Sequence, residues 1–452
     1  MISSSNPGRA AREDIAKDGA MGRTAVADRK RWPDVATVPR APLRAAVAAV
    51  LVRRVAARLA PPAGPSIPGV PMLRLHRPGD LHRRLGARGL IGFGEAYQAG
   101  DWDTDDLVAL LSAFATALLN RRLRLIGRLR HLAWLRPLYG ARLPRAEENT
   151  LAGSRNNIRH HYDLSNELFA LFLDETMTYS AALFDLDPAG RPAATWANLA
   201  DAQRRKIDRL LDRTGVGAGT RVLEIGTGWG ELAIRAAQRG ARVHTITISA
   251  EQHALAVRRA AAAGVADWIT VDLCDYRQIK PPHDGEGYDA VLSVEMIEAV
   301  GERYWPAYFA TLDQLLAPGG RIGLQAITMP HDRMRTARRT YTWIQKYIFP
   351  GGVILSAEAI DHLVAEHTHL RVRESYAFGS HYAATLRLWR ERFTEQAEAV
   401  AALGFDQTFR RTWEYYLAYS EAGFATGHLD VQQVILERRP ASGMRLDSLR
   451  SM

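Results

Sequence analysis

The sequence predicts an α/β protein with a doubly wound, mostly parallel sheet, and two observations support this fold class. From Arg221 onward, short apolar strands alternate with helical segments, which is the spacing of a parallel sheet covered by helices on both faces. The first strand, 221–225, runs into a turn with Gly226, Gly228 and Gly230 and then into an Ala-rich helix. A glycine turn at this place lets the backbone approach a bound ligand closely.

The remaining elements of this part follow in order along the chain. The expected segments are a strand at 243–248, a helix at 250–263, and strands at 268–271, 288–293 and 321–326, the last after the turn Pro318-Gly319-Gly320. Strand and helix keep alternating over this stretch, so the sheet is expected to be mostly parallel.

The N-terminal third is predicted to be a smaller, mainly helical domain. Residues 1–40 are polar, small and charged without periodicity, so we expect them to be disordered. A helical pattern runs from Pro42 to Leu59 and stops at a Pro/Gly-rich stretch. Short strands or turns and a helix are expected up to residue 119, followed by an Arg-rich helical hairpin. The predicted division is 1–40 disordered, 41–145 an N-terminal domain, 146–440 a catalytic domain and 441–452 a flexible tail.

Charge is concentrated in the N-terminal third. The 452 residues carry a net charge of +10, but residues 1–160 hold 27 Lys+Arg against 13 Asp+Glu, while the remainder is slightly acidic. Such a basic region suits an anionic partner, either a membrane leaflet or a nucleic acid. The single cysteine, Cys274, excludes an internal disulfide and a Cys-cluster zinc site. A reducing intracellular setting is therefore expected.

The residues around the glycine turn favour one cofactor class. A nicotinamide site normally has an acidic residue at the end of the second strand to hold the ribose. This chain has Thr247-Ile248-Ser249 there, whereas Glu224 lies just before the glycines. The pattern is therefore more typical of a class I methyltransferase that uses S-adenosylmethionine.

A series of ordered motifs carries a family resemblance. The motifs are RHHYDLSNELF at 159–169, TYSAALF at 178–184, VLEIGTGWG at 222–230, TIS at 247–249 with Gln252, EMIEAVG at 295–301, YIFPGG at 347–352 and GSHY at 379–382. In this order they resemble the cyclopropane fatty acid synthase family, which includes the mycolic acid methyltransferases. GFGEAY at 92–97 with GDW at 100–102 looks like the N-terminal domain of the phospholipid-acting branch.

The resemblance implies a Rossmann-like class I methyltransferase fold and a lipid reaction. Members transfer a methyl group from S-adenosylmethionine to the cis double bond of unsaturated acyl chains in membrane phospholipids, giving a cyclopropane or a methylene/methyl-branched chain. The matching cofactor-binding positions are Tyr179, Ser180, Glu224, Gly226, Gly228, Gly230, Thr247, Gln252 and Tyr276. Attack by the alkene leaves positive charge on the chain, which aromatic faces can stabilise. The candidates for that are Tyr179, Trp229, Tyr382 and Trp389.

The chain departs from the cyclopropane pattern around the expected base. Glu298 and Tyr382 match residues that hold a bicarbonate ion in the family. However, Ala181 replaces a cysteine, Gln325 a histidine and Ser420 a second cysteine. The catalytic candidates are therefore Glu298, Tyr382, Gln325 and Ser420, and both bicarbonate and Glu298 stay open as the base. No metal is expected, because His160, His161 and His381 have no carboxylate at ligand spacing.

An enzyme acting on such chains must dock on a bilayer, so a cytoplasmic, peripheral location on the inner membrane face is expected. Two basic clusters are candidate docking surfaces: Arg121, Arg122, Arg124, Arg128 and Arg130, and Arg333, Arg335, Arg338, Arg339 and Lys346 beside Tyr341, Trp343 and Tyr347. No nucleic-acid partner is expected, since 293–296 lacks the Pro-Pro-aromatic motif of amino-methylating enzymes. The resemblance implies a homodimer, and a methylene product would require a separate reductase. The alternatives are a small-molecule methyltransferase and a non-catalytic lipid-binding protein.

Overall fold

The computed structural model describes residues 27–59, 72–119, 165–281, 285–338 and 340–439. The helices are α1 Pro33–Ala36, α2 Pro42–Leu59, α3 Pro78–Gln98, α4 Leu107–Leu119, α5 Asn166–Ala170, α6 Leu199–Thr214, α7 Glu231–Gln238, α8 Ala250–Ala262, α9 Trp305–Leu315, α10 His331–Ala337, α11 Trp343–Tyr347, α12 Ala357–His367, α13 Gly379–Glu395, α14 Ala397–Ala402 and α15 Gln407–Ala425. The strands are β1 Leu73–Leu75, β2 Trp102–Thr104, β3 Arg221–Ile225, β4 Arg242–Thr247, β5 Ile269–Leu273, β6 Tyr288–Val294, β7 Leu316–Thr328, β8 Leu370–Ala377 and β9 Asp430–Arg438.

The main sheet has seven strands in the order β5-β4-β3-β6-β7-β9-β8. Strands β3 to β7 pair in parallel, and β9 is antiparallel to both of its neighbours. The chain runs outward from β3 to β5 and then returns to β6 on the other side of β3. The crevice at the carboxyl ends of β3 and its neighbours is where doubly wound sheets bind ligands. The predicted α/β class is confirmed. Two strands were not predicted: β9, which runs antiparallel to the rest of the sheet, and β8 at the edge, which runs in the same direction as β7.

The local sequence explains the central elements. β3 is apolar on both faces, with Val222, Leu223 and Ile225 buried, because helices cover the sheet on each side. Helix α6 is amphipathic, and its buried face includes Leu210. It ends at Gly215, whose φ of 77° is the left-handed conformation of a glycine C-cap.

The N-terminal part shares a hydrophobic core with the rest of the chain. Side chains of α3 and α4 belong to the same buried cluster as those of α13 and α15. Gln98 on α3 donates from Nε2 to Thr412 Oγ1 (2.9 Å) and accepts from Trp343 Nε1 (2.9 Å). The helical character predicted for this region is therefore present, but residues 72–119 do not form a separately packed unit.

Helix α3 also carries a buried carboxylate that binds the segment around α11. Glu95 accepts hydrogen bonds from Lys346 Nζ (2.7 Å), the Tyr347 hydroxyl (2.9 Å) and Arg88 (2.7 Å). Trp343 is only 4% exposed. The prediction of a membrane-docking surface around Lys346 is wrong for these residues, because they pack against the N-terminal helices instead of facing out.

One further expectation about the N-terminal residues is wrong, and several others concern residues that the structure does not describe. Residues 27–40, expected to be disordered, contain α1, and Trp32 Nε1 donates to Asp406 Oδ2 (2.9 Å). The Arg121–Arg130 cluster, Arg339, His160, His161, the 145/146 boundary and the 441–452 tail lie outside the described residues. No helix in the described ranges is both long and apolar enough to cross a bilayer.

Candidate active site

A cavity of about 490 Å³ lies at the carboxyl ends of β3, β4 and β6 and extends toward α11 and α15. Most of the predicted residues line it together: Tyr179, Ser180, Glu224, Gly226, Gly228, Thr247, Gln252, Tyr276, Glu298, Tyr382 and Ser420. Gly230 is not among the lining residues and packs against Ala256, to which a Cβ on the glycine would come within 3.2 Å. Gln325 is fully buried one layer behind the wall.

The glycine turn forms one wall of the cavity. Gly226 and Gly228 have φ values of 100° and 52°, a region that side chains rarely adopt. A Cβ on Gly228 would meet nothing within 4 Å, so the backbone here borders open space. The N–H groups of Gly226 and Thr227 donate to Ile246 O (2.9 and 3.0 Å) and thereby fix the turn against β4.

Polar groups lie beside this turn. Glu224 is buried and accepts from Thr245 Oγ1 (2.6 Å), and burial raises the pKa of its carboxyl group to about 8. Thr247 Oγ1 donates to Gln252 Oε1 (2.9 Å). The buried Tyr276 hydroxyl has no hydrogen-bond partner within the described ranges. A buried carboxylate and an unpartnered hydroxyl beside a glycine turn fit a polar ligand such as a nucleoside.

Glu295, which was not among the predicted site residues, occupies the centre of the polar region. Its carboxylate accepts from three donors: Oε1 from the Ala181 N–H (2.9 Å) and Gln325 Nε2 (2.8 Å), and Oε2 from the Tyr382 hydroxyl (2.6 Å). We call these three donors the donor cradle. Burial raises the pKa of Glu295 above its usual value, and hydrogen bonds from the cradle and the charge of Lys206 reduce this rise without reversing it.

Glu298 lies three residues further on and is bound differently. Its Oε1 accepts from the Ile327 N–H (2.5 Å), whereas the buried Oε2 has no partner among the described residues. Burial and the charge of Glu295 raise the pKa of Glu298 to about 8. Since two adjacent carboxylates resist joint ionisation, the hydrogen bonds favour Glu295 as the charged member and Glu298 as the protonated one at neutral pH.

A buried lysine, also not predicted, lies between the two polar regions. Lys206 on α6 is 0% exposed and donates from Nζ to Ser180 Oγ (2.6 Å). Burial lowers the pKa of Lys206 to about 8, and the charges of Glu295, Asp174 and Glu224 oppose that shift. The lysine thus supplies the cation that partly balances the carboxylates at both ends of the site.

Aromatic rings form much of the remaining wall. Tyr179, Trp229 and Tyr382 line the cavity, and the Tyr179 and Tyr416 hydroxyls are hydrogen-bonded at 2.6 Å. Trp389 does not line it and packs behind Tyr179 with 5.3 Å between ring centroids. The inclusion of Trp389 among the cavity aromatics is therefore wrong, because Tyr179 separates it from the cavity.

The remaining sequence candidates have structural partners. His381 accepts at Nδ1 from the Phe184 N–H (3.0 Å), which fits a packing role. Within the described ranges no group of three or more His, Cys, Asp or Glu side chains is arranged to hold a metal ion.

One signal for Glu295 was present in the sequence: Glu295-Met296-Ile297-Glu298 places two carboxylates three residues apart, a spacing that suits acid–base chemistry.

Comparison with known proteins agrees with this geometry. The family model for mycolic acid cyclopropane synthetase matches residues 150–434. The chain is 52% identical to the tuberculostearic acid methyltransferase of Mycobacterium tuberculosis, over 92% of this chain and 97% of that protein. It is 32% identical to the cyclopropane-fatty-acyl-phospholipid synthase of Escherichia coli K12, over 83% and 90% of the two chains.

Solved structures show the same similarity. A mycolic acid cyclopropane synthase complexed with S-adenosylhomocysteine and the detergent CTAB aligns with a TM-score of 0.55 and 28% identity, covering 62% of this chain and 97% of that one. A cyclopropane synthase of Mycobacterium tuberculosis aligns with a TM-score of 0.55 and 30% identity over the same shares. The chain therefore belongs to the mycolic acid cyclopropane synthetase family of S-adenosylmethionine-dependent methyltransferases that modify lipid acyl chains.

Proposed function

We propose that this protein methylates the cis double bond of unsaturated acyl chains in membrane phospholipids, and that Glu295 is the general base. The proposed role of Glu295 as the base rests on one observation. The Glu295 carboxylate lies in the donor cradle, and Tyr382, one of those donors, matches a residue with which the family holds bicarbonate. A carboxylate presents the same kind of planar, anionic oxygens as that ion. In this proposal the Glu295 side chain takes the place of the bicarbonate ion, so the reaction needs no added bicarbonate.

The chain's own residues suit S-adenosylmethionine. Glu224 and the unpartnered Tyr276 hydroxyl offer polar groups for a nucleoside, and Gly226 and Gly228 leave space against the backbone. When bound, this cofactor supplies an electrophilic methyl group. The protein contributes position and the exclusion of water, because a carbon–carbon double bond is a weak nucleophile.

The acyl chain is proposed to lie along the apolar part of the cavity, beside Tyr382, Leu386 and Phe424. Methyl transfer forms a C–C bond at one alkene carbon and leaves the other electron-deficient. The ring faces of Tyr179, Trp229 and Tyr382 can stabilise that charge. Glu295, held ionised by the donor cradle, then takes a proton from the new methyl group.

The electron pair released with that proton decides the product. If it closes on the electron-deficient carbon directly, a cyclopropane forms. If a hydride first moves from the methylated carbon to its neighbour, the pair forms a C=C bond and leaves a methylene branch. We propose the methylene branch, because the relative with 52% identity is named a methyltransferase, whereas the cyclopropane synthase is 32% identical. A separate reductase would then give the methyl branch.

The test uses liposomes of a dioleoyl phospholipid with deuterium on both alkene carbons, S-adenosylmethionine and bicarbonate-free buffer. Mass spectrometry of the acyl chains should show a gain of one CH2 unit. In a methylene product both deuterium atoms lie on one carbon next to the branch, because the hydride has moved. A cyclopropane keeps one deuterium on each ring carbon and would overturn the product assignment. Without any mass gain, the proposal of a lipid substrate is refuted and a small-molecule substrate or a non-catalytic role takes its place.

A further inference from the structure

Behind the cavity wall, the buried side chain of Gln433 contacts the Gln325 amide and determines which end of that amide faces Glu295. Gln325 on β7 and Gln433 on β9 are directly opposite each other in the antiparallel pair, and both are 0% exposed. Gln433 Nε2 donates to Gln325 Oε1 (3.1 Å), and Gln325 Nε2 donates to Glu295 Oε1 (2.8 Å). The two amides thus form a chain of hydrogen bonds that ends on the carboxylate.

An amide can rotate by half a turn and exchange its donor and acceptor ends, but the partners of Gln433 prevent this. Its Oε1 accepts from Arg209 (2.7 Å), and a guanidinium can only donate. Its Nε2 also donates to the Lys206 carbonyl (3.0 Å), which can only accept. Both ends of Gln433 are therefore assigned by partners that have a single role.

Arg209 is held in place in turn. It donates to Glu374 Oε1 (2.5 Å), and its guanidinium lies 4.1 Å from the centroid of the Tyr376 ring. It also lies one helical turn after Lys206 on α6, so one helix supplies both fixed partners of Gln433.

We infer that Gln433 and Arg209 are positioning residues for the base: they fix the Gln325 amide as a hydrogen-bond donor to Glu295 and thereby favour the ionised carboxylate. The inference rests on the proposed role of Glu295. If the Gln325 amide turned over, its carbonyl oxygen would face a carboxylate oxygen and the two acceptors would repel. Hydrogen bonds to the charged form lower a carboxyl pKa, and their loss raises it.

Among the residues that the structure describes, three titratable groups on other elements or turns act on Glu295. They are Lys206 on α6, Tyr382 on α13 and Glu298 in the turn after β6. None of them contacts Gln433 through its side chain, since the lysine meets it through the backbone carbonyl. A substitution at Gln433 can therefore change the cradle while these groups stay in place.

The test measures pH–rate profiles of two variants in bicarbonate-free buffer. Gln433→Met removes the fixed amide without adding charge, and Gln433→Glu replaces the donating end with an acceptor. We expect kcat to fall about tenfold for Gln433→Met and further for Gln433→Glu, as for loss of a charge-assisted hydrogen bond. The acid limb of both profiles should move to higher pH, while the KM for S-adenosylmethionine stays within about twofold.

Gln432→Met is the matched control. This neighbouring glutamine points to the other face of β9, where it donates to Thr328 Oγ1 (3.0 Å), so its profile should equal that of the unaltered protein. A lower rate with an unmoved acid limb in both Gln433 variants would overturn the inference. Glu295→Gln, measured in parallel, separates the two claims. If it keeps full activity, the proposed base is wrong; if it is inactive while the Gln433 variants do not shift, only the inference fails.

Discussion

Replacing Glu295 by glycine should turn the protein into a bicarbonate-dependent enzyme. The substitution removes the proposed base and leaves the donor cradle of Ala181, Gln325 and Tyr382 without its carboxylate. Loss of a positioned general base lowers rates by about 10²–10⁴. Added bicarbonate should occupy the cradle and restore a substantial part of the rate.

The backbone tolerates this change well. Glu295 has a φ of 49°, a left-handed conformation that costs a residue with a side chain roughly 1–2 kcal/mol and costs glycine little. Glycine should therefore recover about that amount. This gain offsets part of the three lost hydrogen bonds, so the variant should stay folded. Circular dichroism melting and S-adenosylmethionine titration check both points.

The assay follows CH2 gain on oleoyl phospholipid in degassed buffer, with sodium bicarbonate added stepwise and sodium chloride matching the ionic strength. Glu298→Gly is the matched control. The three cradle donors do not bind Glu298, so added bicarbonate should not restore the rate of this variant. Two results would refute the reasoning. One is loss of activity of the unaltered protein when bicarbonate is removed, and the other is full activity of Glu295→Gly without it.

Three further predictions concern other parts of the structure. Glu298→Gln should raise the melting temperature little at pH 5 and more toward pH 8. The pKa of Glu298 in the folded state, about 8, exceeds its ordinary 4.5, so the folded state holds a proton that the unfolded state releases. The stability of the unaltered protein therefore falls as pH rises from 4.5 to 8, whereas the glutamine variant has no such loss. Lys206→Met should cost about 3–5 kcal/mol in the free energy of unfolding, since it leaves buried carboxylates without their cation. Gly94→Ala should cost about 1–3 kcal/mol, because the added methyl would overlap the Trp343 indole.

Each of these predictions has a control or a result that would contradict it. Melting curves of Glu302→Gln, an exposed carboxylate paired with Arg338, should show no gain toward alkaline pH, and an equal gain in both variants would contradict the assignment to Glu298. For Lys206, urea unfolding that matches the unaltered protein would mean the carboxylates need no cation. Gly79→Ala, where a Cβ meets nothing within 4 Å, controls for the glycine substitution in α3.

The parts of the fold that could be predicted are those with a strong local signal. β3 was predicted with its observed bounds because an unbroken apolar run meets a glycine turn, and α2 because its helical pattern lies between prolines. β8 carried no such signal: five of its eight residues are exposed and only Leu370 is buried, because the strand lies at the sheet edge. The family and the S-adenosylmethionine dependence, which rested on motif order, are confirmed.

The site was predictable only in part. Residues such as Glu224 and Thr247 lie at the carboxyl ends of the neighbouring strands β3 and β4, so their assembly around one cavity follows from topology. Glu295 was not predicted, because its role depends on hydrogen bonds from Ala181, Gln325 and Tyr382, which lie far apart in the chain. Gln433 escaped for the same reason, since the function of a buried amide depends on its neighbours across the sheet. The individual roles of these residues stay predictions.

The Glu95 contacts have a consequence for how this chain can change over evolution. The family model begins at residue 150, so α3 lies outside the segment that the wider family shares, yet its carboxylate binds Lys346 and Tyr347 next to the cavity wall. Loss of Lys346 would leave the buried Glu95 with Arg88 as a cation partner, and loss of Glu95 would leave Lys346 with Asp34, so either substitution weakens this network. The two segments should therefore tolerate matched substitutions better than single ones, and a chimera that joins this catalytic region to a foreign N-terminal segment should be more stable where that segment supplies an equivalent of Glu95.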